Sequence, residues 1–259
     1  MTHAPLITLL TDFGLEDPYV GVMKGVLWRE CSEARIVDLT HAIPAYDCRA
    51  AAFWIERVFR WFEPGTVHVV VVDPGVGSAR RPLSVAAHGQ FFVGPDNGIL
   101  SGVCASDTEA RVREIDISRL SLPTPSRTFH GRDVFSPLAA RLASGELEFD
   151  RVGEVITSLC PPVLLAPVAS AHGWRGEVVS VDHFGNALTN LEYPGAGGFE
   201  ARVAGRRLPI RGTYADAAPS EVCALFGSFG TLEIALREGH AARALGLVAG
   251  SAVELCRSE

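Results

Sequence analysis

The chain has 259 residues, of which 47% are hydrophobic and 20% are charged, and its formal net charge is −7. This composition is that of an ordinary globular protein that is long enough for two domains. The acidic balance, without a basic patch, argues against a nucleic-acid-binding surface. No segment approaches the roughly 20 consecutive apolar residues of a membrane-spanning helix. The six cysteines are far apart and have no CxxC spacing, so we expect free thiols in a cytoplasmic protein rather than a disulfide framework or a zinc site.

In the first part of the chain, short apolar strands alternate with helices. The predicted strands cover residues 6–10, 35–39, 67–72 and 90–93. A first helix is expected near Asp17-Pro18, with Asp17 as the N-cap and Pro18 in the first helical position. A second helix is expected to begin after Asp47, and a third is expected at about residues 133–143. This order of strands and helices predicts an α/β fold with a mostly parallel sheet that is flanked by helices.

The pattern changes in the second part of the chain, where short alternating strands are separated by Gly, Asn and Pro. The predicted strands cover residues 177–181, 200–203, 232–236 and 252–255, with one short helix at 239–245. This spacing predicts a small antiparallel β-barrel or sandwich, and we expect the barrel. Prolines interrupt the pattern between the two parts and indicate a linker. We therefore expect an N-terminal α/β domain at 1–160, a linker at 161–172 and a C-terminal β-barrel domain at 173–259.

The segment Val69–Arg81, with the sequence VVVVDPGVGSARR, is the most informative part of the chain. Four consecutive valines predict a strand that is buried on both faces. Asp73 follows at the carboxyl end of this strand, where open α/β sheets bind their ligands. Arg80 and Arg81 come next, after a turn rich in Gly and Pro. The segment is therefore a candidate part of an active site, and the alternative is an Asp–Arg pair that only braces the turn.

Several other segments also carry a polar residue at a strand end or on a glycine-rich turn. In chain order they are TDFG (11–14), GPDNGIL (94–100), TFHGRD (128–133) and DHFGNALTN (182–190). With VDPGVGSARR and the late segment GSFGTLEIAL (227–236), this ordered set resembles the S-adenosyl-L-methionine (SAM) hydroxide adenosyltransferase family, whose relatives are the fluorinases and chlorinases.

The resemblance implies a reaction and an assembly. The reaction is the hydrolysis of SAM to adenosine and L-methionine, by in-line attack of water or hydroxide on the ribose C5′. No cofactor is implied, since SAM is the substrate, and the histidines lack HxxxH or HExxH spacing, so we expect no metal. The assembly is a homotrimer whose active site lies at the subunit interface, between the first domain of one subunit and the second domain of its neighbour.

The resemblance also assigns residues to this reaction. The catalytic set becomes Asp73, Arg80 and His130, which would hold the water and accept or relay its proton, with Arg81 as the alternative to Arg80. The expected substrate-binding residues are Asp12 for the ribose hydroxyls, Tyr46 for the ribose or adenine, Asp17 for the methionine end, Asp182 for the ammonium group, Asn186 for adenine and Ser228 for the methionine carboxylate. How that carboxylate is neutralised stays open, because Gly227 and Phe229 flank Ser228 where relatives carry Asn or Arg.

Two other functions are compatible with the same fold. A halogenase would need a dry anion pocket, and a carboxylate at Asp73 would repel the halide. A protein that binds SAM or a nucleoside without catalysis would be expected to lose Asp73, Arg80 or His130 while it kept Asp12 and Asp182. All five residues are present, which favours the hydrolase.

Overall fold

The structure, a computed structural model, describes residues 4–195 and 197–258. The chain divides into two units, one that ends at Leu164 and one that begins at Leu165. The domain limits and the linker proposed from the sequence stay a prediction. The first three residues and the last one, which those limits include, lie outside the described residues.

Six short strands form the sheet of the first unit. They are β1 (Leu6–Thr11), β2 (Arg35–Thr40), β3 (Val67–Val71), β4 (Pro82–Ala87), β5 (Gln90–Pro95) and β6 (Arg111–Glu114). Their order across the sheet is β2-β1-β3-β5-β4-β6. Neighbours from β2 to β5 pair in parallel, whereas β4 pairs antiparallel with both β5 and β6. The sheet is therefore mostly parallel, which confirms the prediction.

Helices cover both faces of this sheet. They are α1 (Tyr19–Glu30), α2 (Cys48–Val58), α3 (Ser101–Ala105) and α4 (Ser136–Ala143). Helices α1 and α4 share one hydrophobic core with the sheet, and α2 and α3 share another. Because side chains alternate along a strand, Val69 and Val71 lie in the first core, and Val70 and Val72 lie in the second. The four valines are thus buried on both faces, as predicted.

The two predicted helix caps have different outcomes. Asp47 caps α2, because its side chain accepts a hydrogen bond from the backbone N–H of Ala50 at 2.9 Å. The predicted cap of α1 by Asp17 is wrong. Pro18 is the N-cap there, since its carbonyl accepts the first helical hydrogen bond, from Val22 N at 2.9 Å. Among the described residues, the Asp17 side chain accepts no capping hydrogen bond, and the helix starts one residue later than predicted.

The second unit is a β-barrel. Its strands are β7 (Val168–Ser170), β8 (Gly173–Val181), β9 (Ala187–Glu192), β10 (Phe199–Val203), β11 (Arg206–Arg211), β12 (Val222–Phe226), β13 (Thr231–Leu236) and β14 (Ala252–Arg257). Strands β8 to β14 close into a ring in the order β14-β10-β11-β12-β13-β9-β8, and β7 pairs with β8 beside it. All pairs in the ring are antiparallel except β11 with β12. The predicted barrel is confirmed.

The short helix α5 (Ala241–Leu245) accompanies the barrel, within the segment where a helix was predicted. The inward side chains of the strands form one hydrophobic core, to which α5 adds Ala242. Within the part of the chain that the structure describes, none of the helices has the length and apolar character needed to cross a bilayer.

Candidate active site

The strand order places the carboxyl ends of β1 and β3 at the switch point of the sheet. The chain leaves β1 toward β2 on one side, and it leaves β3 toward β5 and β4 on the other side. Open α/β sheets bind ligands in the crevice that forms where such connections diverge. A cavity of about 290 Å³ lies at this point, and four residues singled out from the sequence line it: Asp12, Tyr46, Asp73 and His130.

Arg80 joins Asp73 to His130, two of the residues that line this cavity. Its Nε donates to Asp73 Oδ1 at 3.0 Å, and its Nη2 donates to Asp73 Oδ2. The same Nη2 lies 2.8 Å from Nδ1 of His130. The side chains of Asp73 and Arg80 are only 6% and 8% exposed, so the ion pair is bidentate and largely shielded from water, which makes it strong. The structure thus brings the three predicted catalytic residues together.

The contact with Arg80 determines which nitrogen of His130 carries the proton. A guanidinium group has only donors, so Nδ1 must be the acceptor and a neutral ring carries its proton on Nε2. Burial, and then the charge of Arg80, lower the pKa of His130 from its ordinary value of 6.5, against smaller opposing effects of Asp73 and Asp133. The ring is therefore neutral at neutral pH and offers Nε2–H as a hydrogen-bond donor.

Local structure fixes where His130 lies. The residue precedes a π-helical turn, Gly131–Phe135, which continues into α4. Such turns are rare in proteins, and those that occur are often found at functional sites. The ring of Phe135 lies under both polar groups, since its centroid is 5.5 Å from the guanidinium carbon of Arg80 and 6.5 Å from the ring centroid of His130. The turn and this ring hold the imidazole against Arg80.

Arg81 has different partners. Its Nε donates to Asp96 Oδ2 at 3.0 Å, and its Nη2 donates to the carbonyl of Ser158 at 2.6 Å. Asp96 is buried and also accepts from the backbone N–H of Cys160 at 3.0 Å. Arg81 therefore ties the end of the first unit to β5. Of the two adjacent arginines, only Arg80 contacts Asp73 among the described residues.

Asp12 and Tyr46 are joined to each other at the mouth of the cavity. Asp12 follows β1, and its Oδ2 accepts a hydrogen bond from the backbone N–H of Tyr46 at 2.9 Å. Tyr46 has a φ of +67°, in the left-handed region, which costs a residue with a side chain about 1 kcal/mol or more. The Tyr46 side chain is exposed and lines the cavity. Strain that is held by a neighbouring carboxylate is typical of a functional loop.

Cys48 lies close to these carboxylates but is not suited to act as a nucleophile. Burial, and then the charges of Asp12, Asp47 and Asp73, raise the pKa of its thiol to about 11. The thiolate, not the thiol, is the nucleophile in cysteine chemistry. The thiol is therefore protonated at neutral pH, and the site favours a direct attack by a small nucleophile over a covalent cysteine intermediate.

The sequence analysis missed residues that shape the cavity. The rings of Phe13, Tyr19 and Phe129 line it. His41 is buried, holds the hydroxyl of Thr11 through Nδ1 at 2.8 Å, and accepts from Gly14 N through its carbonyl at 2.8 Å. Phe13 and Phe129 lie within motifs that were recognised, TDFG and TFHGRD. No local signal distinguishes His41, because its role depends on a neighbouring strand.

The remaining predicted residues lie elsewhere. Asp17 is exposed and is not among the residues that line the cavity. Asp182 and Asn186 belong to the second unit, where Asn186 donates to the Asp182 carboxylate through its backbone N–H at 2.8 Å and its side-chain Nδ2 at 2.9 Å. Ser228 lies on the turn between β12 and β13. Their predicted contacts with substrate stay predictions.

Beside Ser228, one buried acid was also missed. Glu233 on β13 is 5% exposed, and the hydroxyl of Tyr214 donates to its Oε2 at 2.6 Å. Burial raises the pKa of Glu233. A side chain at Gly227 would collide with this carboxylate, so the glycine makes room for it. In residues 4–195 and 197–258, no group of three or more His, Cys, Asp or Glu side chains is arranged to hold a metal ion.

Fold and cavity together define a two-unit α/β protein with a ligand site at the switch point of its sheet. Residues 7–153 match the model of the SAM hydroxide adenosyltransferase N-terminal domain, and residues 176–254 match that of the C-terminal domain. The chain belongs to the SAM hydroxide adenosyltransferase family. This confirms the resemblance that the sequence motifs indicated.

Individual relatives agree with this assignment. An (R)-S-adenosyl-L-methionine hydrolase of Thermus thermophilus is 42% identical over 96% of this chain and 98% of its own. A protein of the same name from Salinispora tropica is 37% identical over 96% and 97%. A fluorinase of Actinopolyspora mzabensis is 25% identical over 98% of both chains. The crystal structure of an uncharacterized conserved protein from Thermotoga maritima matches with a TM-score of 0.89 at 36% identity, over 97% of this chain and 100% of that one.

Proposed function

We propose that this chain hydrolyses SAM to adenosine and L-methionine by in-line attack of water or hydroxide on the ribose C5′. The observation that carries the proposal is the hydrogen-bonded chain Asp73–Arg80–His130, whose Asp73 and His130 line the same cavity as Asp12. Relatives that are named (R)-S-adenosyl-L-methionine hydrolase support it, at up to 42% identity over nearly the whole chain. Their name also supports the (R) epimer at sulfur as the preferred substrate.

The chemistry of this reaction makes demands mainly on the nucleophile. The leaving group is a neutral thioether that departs from a sulfonium, so it needs no proton and no general acid. Neutral water is a weak nucleophile and must lie in line behind C5′. Orientation of this kind contributes up to about 7–11 kcal/mol in ideal cases, and a positioned base adds roughly 10²–10⁴-fold.

Asp73 and His130 suit these two tasks. Each oxygen of Asp73 accepts one hydrogen bond from Arg80, and a carboxylate oxygen has a second lone pair that is available for the hydrogen of a water molecule. His130 offers Nε2–H, which would donate to the oxygen of that water and fix its direction. Arg80 would hold the side chains of Asp73 and His130 in these positions. In the proposed reaction Asp73 accepts the proton and His130 positions the water.

Asp12 suits the ribose. Its Oδ2 is engaged by Tyr46 N, whereas Oδ1 accepts no hydrogen bond from the described residues. An ionised carboxylate can accept hydrogen bonds from both vicinal hydroxyls of a ribose. Tyr46 would then lie against the nucleoside, because the same hydrogen bond that orients Asp12 fixes the position of the Tyr46 backbone.

The decisive experiment uses the separated (R) and (S) epimers of SAM in water enriched in ¹⁸O. We expect adenosine and methionine as products, with the (R) epimer consumed faster and the label in the 5′-hydroxyl of adenosine. No product above the spontaneous rate would refute the hydrolase. Unlabelled adenosine would refute attack of water at C5′. Added fluoride or chloride tests the halogenase alternative, which requires a 5′-halogenated nucleoside as product.

Asp73→Asn supplies the matched variant, since it keeps the shape of the side chain and removes the charge. We expect a loss of turnover with adenosine binding nearly intact. Arg81→Lys is the control, because Arg81 lies next to Arg80 in the chain but pairs with Asp96. If Asp73→Asn abolished adenosine binding as well, Asp73 would hold the ligand or the fold rather than the water.

We further propose a cytoplasmic homotrimer in which Asp182, Asn186 and Ser228 of a neighbouring subunit complete the site. The family resemblance supports the trimer, and the six free cysteines support the location. The size of the cavity supports the shared site, because about 290 Å³ lies just below the range of roughly 300–1,000 Å³ that encloses most of a drug-sized ligand. Light scattering of the purified protein measures the number of subunits.

Subunit mixing tests the shared site. Asp73→Asn and Asp182→Ala chains should each be inactive alone. Unfolded together and refolded, they should recover about a quarter of the wild-type activity. A shared site is intact only when Asp73 comes from an Asp182→Ala chain and Asp182 comes from an Asp73→Asn chain, and random assembly gives this combination in about one site of four. Mixed chains that stay inactive, although each variant binds adenosine and assembles normally, would refute a site shared between subunits.

A further inference from the structure

An aromatic cluster made of Phe13, Tyr19 and Phe129 forms one wall of the cavity. Phe13 follows Asp12, Tyr19 begins α1, and Phe129 precedes His130. The ring centroids are 5.4 to 5.9 Å apart, with tilted or edge-on planes. In such arrangements the positive edge of one ring meets the negative face of another. The three rings therefore stabilise one another and hold their positions on the cavity wall.

Tyr19 is the exposed member of this cluster. Phe129 already carries a cation, since the guanidinium carbon of Arg132 lies 5.1 Å from its ring centroid. In the part of the chain that the structure describes, no Lys or Arg lies over Tyr19 or Phe13, and the Tyr19 hydroxyl makes no hydrogen bond. Tyr19 is 47% exposed although it lines the cavity. Its ring is thus available to a ligand.

The charge of Asp12 favours a cationic ligand. Asp12 lines the same cavity as the aromatic cluster, whereas the charge of Asp73 in that cavity is balanced by Arg80. The substrate of the proposed reaction carries a sulfonium group, which has no N–H or O–H to donate. Such a cation can be recognised through its charge, by carboxylates or by the faces of aromatic rings.

The course of the reaction favours the rings over a carboxylate. The sulfur is positive in the substrate and neutral in the thioether product, so its charge is already fading in the transition state. A close carboxylate would stabilise the substrate more than the transition state and would slow the reaction. An aromatic face binds the cation more weakly and opposes the loss of charge less. It gives recognition of the sulfonium at a smaller cost in rate.

We infer that Tyr19, supported by Phe13, is the residue that recognises the sulfonium group of the substrate, through a cation–π contact. This inference rests on the proposed function and adds to it a determinant of specificity. It requires the protein to discriminate between SAM and S-adenosyl-L-homocysteine, the neutral thioether that lacks the sulfonium methyl group. The discrimination must depend on the ring of Tyr19 and not on its hydroxyl group.

The test compares Tyr19→Leu with Tyr19→Phe. Tyr19→Leu should raise the KM for SAM by roughly two- to thirtyfold, which corresponds to the usual strength of a cation–π contact, and should leave the inhibition constant of S-adenosyl-L-homocysteine nearly unchanged. Tyr19→Phe keeps the ring and should leave both constants near their wild-type values. Since Tyr19 is half-exposed at the start of a helix, both variants should fold, which circular dichroism verifies.

Two results would overturn the inference. If Tyr19→Leu weakened SAM and S-adenosyl-L-homocysteine equally, Tyr19 would be only an apolar wall. If Tyr19→Phe were as harmful as Tyr19→Leu, the hydroxyl would be the functional group. Failure of the proposed function is distinguishable from both. A wild-type protein that does not hydrolyse SAM still permits calorimetric measurement of the two dissociation constants, and their ratio in the three proteins tests Tyr19 directly.

Discussion

His68 makes the stability of the first unit depend on pH. It is fully buried on β3, the strand that leads to Asp73. Its Nδ1 lies 2.7 Å from Oγ1 of Thr8, and its Nε2 lies 2.9 Å from Oε1 of Gln90. The amide nitrogen of Gln90 donates to the carbonyl of Phe62 at 2.6 Å, so Oε1 must accept. The network is therefore complete with a neutral ring that carries its proton on Nε2 and accepts at Nδ1 from the Thr8 hydroxyl, and a second proton on Nδ1 would break that hydrogen bond.

Burial lowers the pKa of His68 to about 4, from an ordinary value of 6.5. As the pH falls below 6.5, the unfolded chain takes up this proton while the folded protein does not, and the equilibrium shifts toward unfolding. The stability that is present above pH 6.5 is thus lost as the pH falls toward 4. At about 1.4 kcal/mol for each tenfold change in proton affinity, the loss is about 2 kcal/mol between pH 7 and pH 5 and about 3 kcal/mol by pH 4.

Urea denaturation of the wild type and of His68→Gln between pH 7 and pH 4 measures this effect. Glutamine keeps a donor and an acceptor but does not titrate, and other acid-sensitive groups are common to both proteins. A Trp174→Phe background places every remaining tryptophan in the first unit, so fluorescence follows that unit alone. The variant should be less stable than the wild type at pH 7, and the difference between their free energies of unfolding should shrink by about 3 kcal/mol by pH 4. A gap that is constant over this range would refute the reasoning.

Three further predictions concern the cavity. The value of kcat/KM should fall at acid pH, and the fall should be centred below the ordinary histidine pKa of 6.5 because burial and Arg80 lower the pKa of His130. A proton on Nδ1 of His130 breaks its contact with Arg80, so His130→Gln should lack this acid limb in a pH–rate profile. Arg80→Lys should lower kcat by roughly 10²–10⁴-fold, since lysine cannot replace a bidentate guanidinium. Arg81→Lys should lower the melting temperature and leave kcat little changed. Equal losses of kcat in the two variants would contradict this prediction. Tyr46→Gly should raise the unfolding free energy by about 1 kcal/mol through relief of the left-handed strain, and it should also raise KM. If the variant were less stable than the wild type in urea, the packing of the tyrosine ring would contribute more free energy than the backbone strain costs.

Local sequence was sufficient where the physical cause is itself local. The valine run Val69–Val72 predicted a strand buried on both faces because burial on both faces requires apolar residues at every position. Asp47 predicted its cap because a cap needs only the backbone of the next residues. Asp17 failed as a cap by a single residue, since the carbonyl of Pro18 accepts the first helical hydrogen bond.

Strand β9 of the barrel was missed because buried polar residues interrupt its apolar pattern. Its segment appeared in the sequence only as the motif DHFGNALTN. Thr189 donates to the carbonyl of Leu232 at 2.8 Å, and Asn190 donates to that of Leu165 at 2.9 Å. Each polar group has a hydrogen-bond partner that is distant in the chain, so its burial costs little free energy in the folded protein. A short stretch of sequence does not show that partner, and the burial could therefore not be predicted.

The choice between Arg80 and Arg81 was also beyond local sequence. The two residues are adjacent, and both follow the same turn. They separate because Arg81 finds the buried carboxylate of Asp96, 15 positions later in the chain, and this leaves Arg80 for Asp73. Asp96 belongs to the GPDNGIL segment, so part of the motif set that identified the family has a structural role, and motif membership alone does not mark a residue as catalytic.

The donor-only chemistry of Arg80 limits what the three-residue chain can do in the proposed reaction. Arg80 donates to Asp73 and to His130 and has no acceptor atom, so a proton cannot pass from one to the other through it. The proton of the attacking water must therefore go directly to Asp73, and His130 acts by holding the water rather than by relaying charge. Removal of Arg80 would release both groups at once, and it would leave Asp73 as a buried charge without a partner, which typically costs 3–5 kcal/mol. A carboxylate held by Arg80 beside a neutral imidazole suits a water nucleophile and opposes a halide.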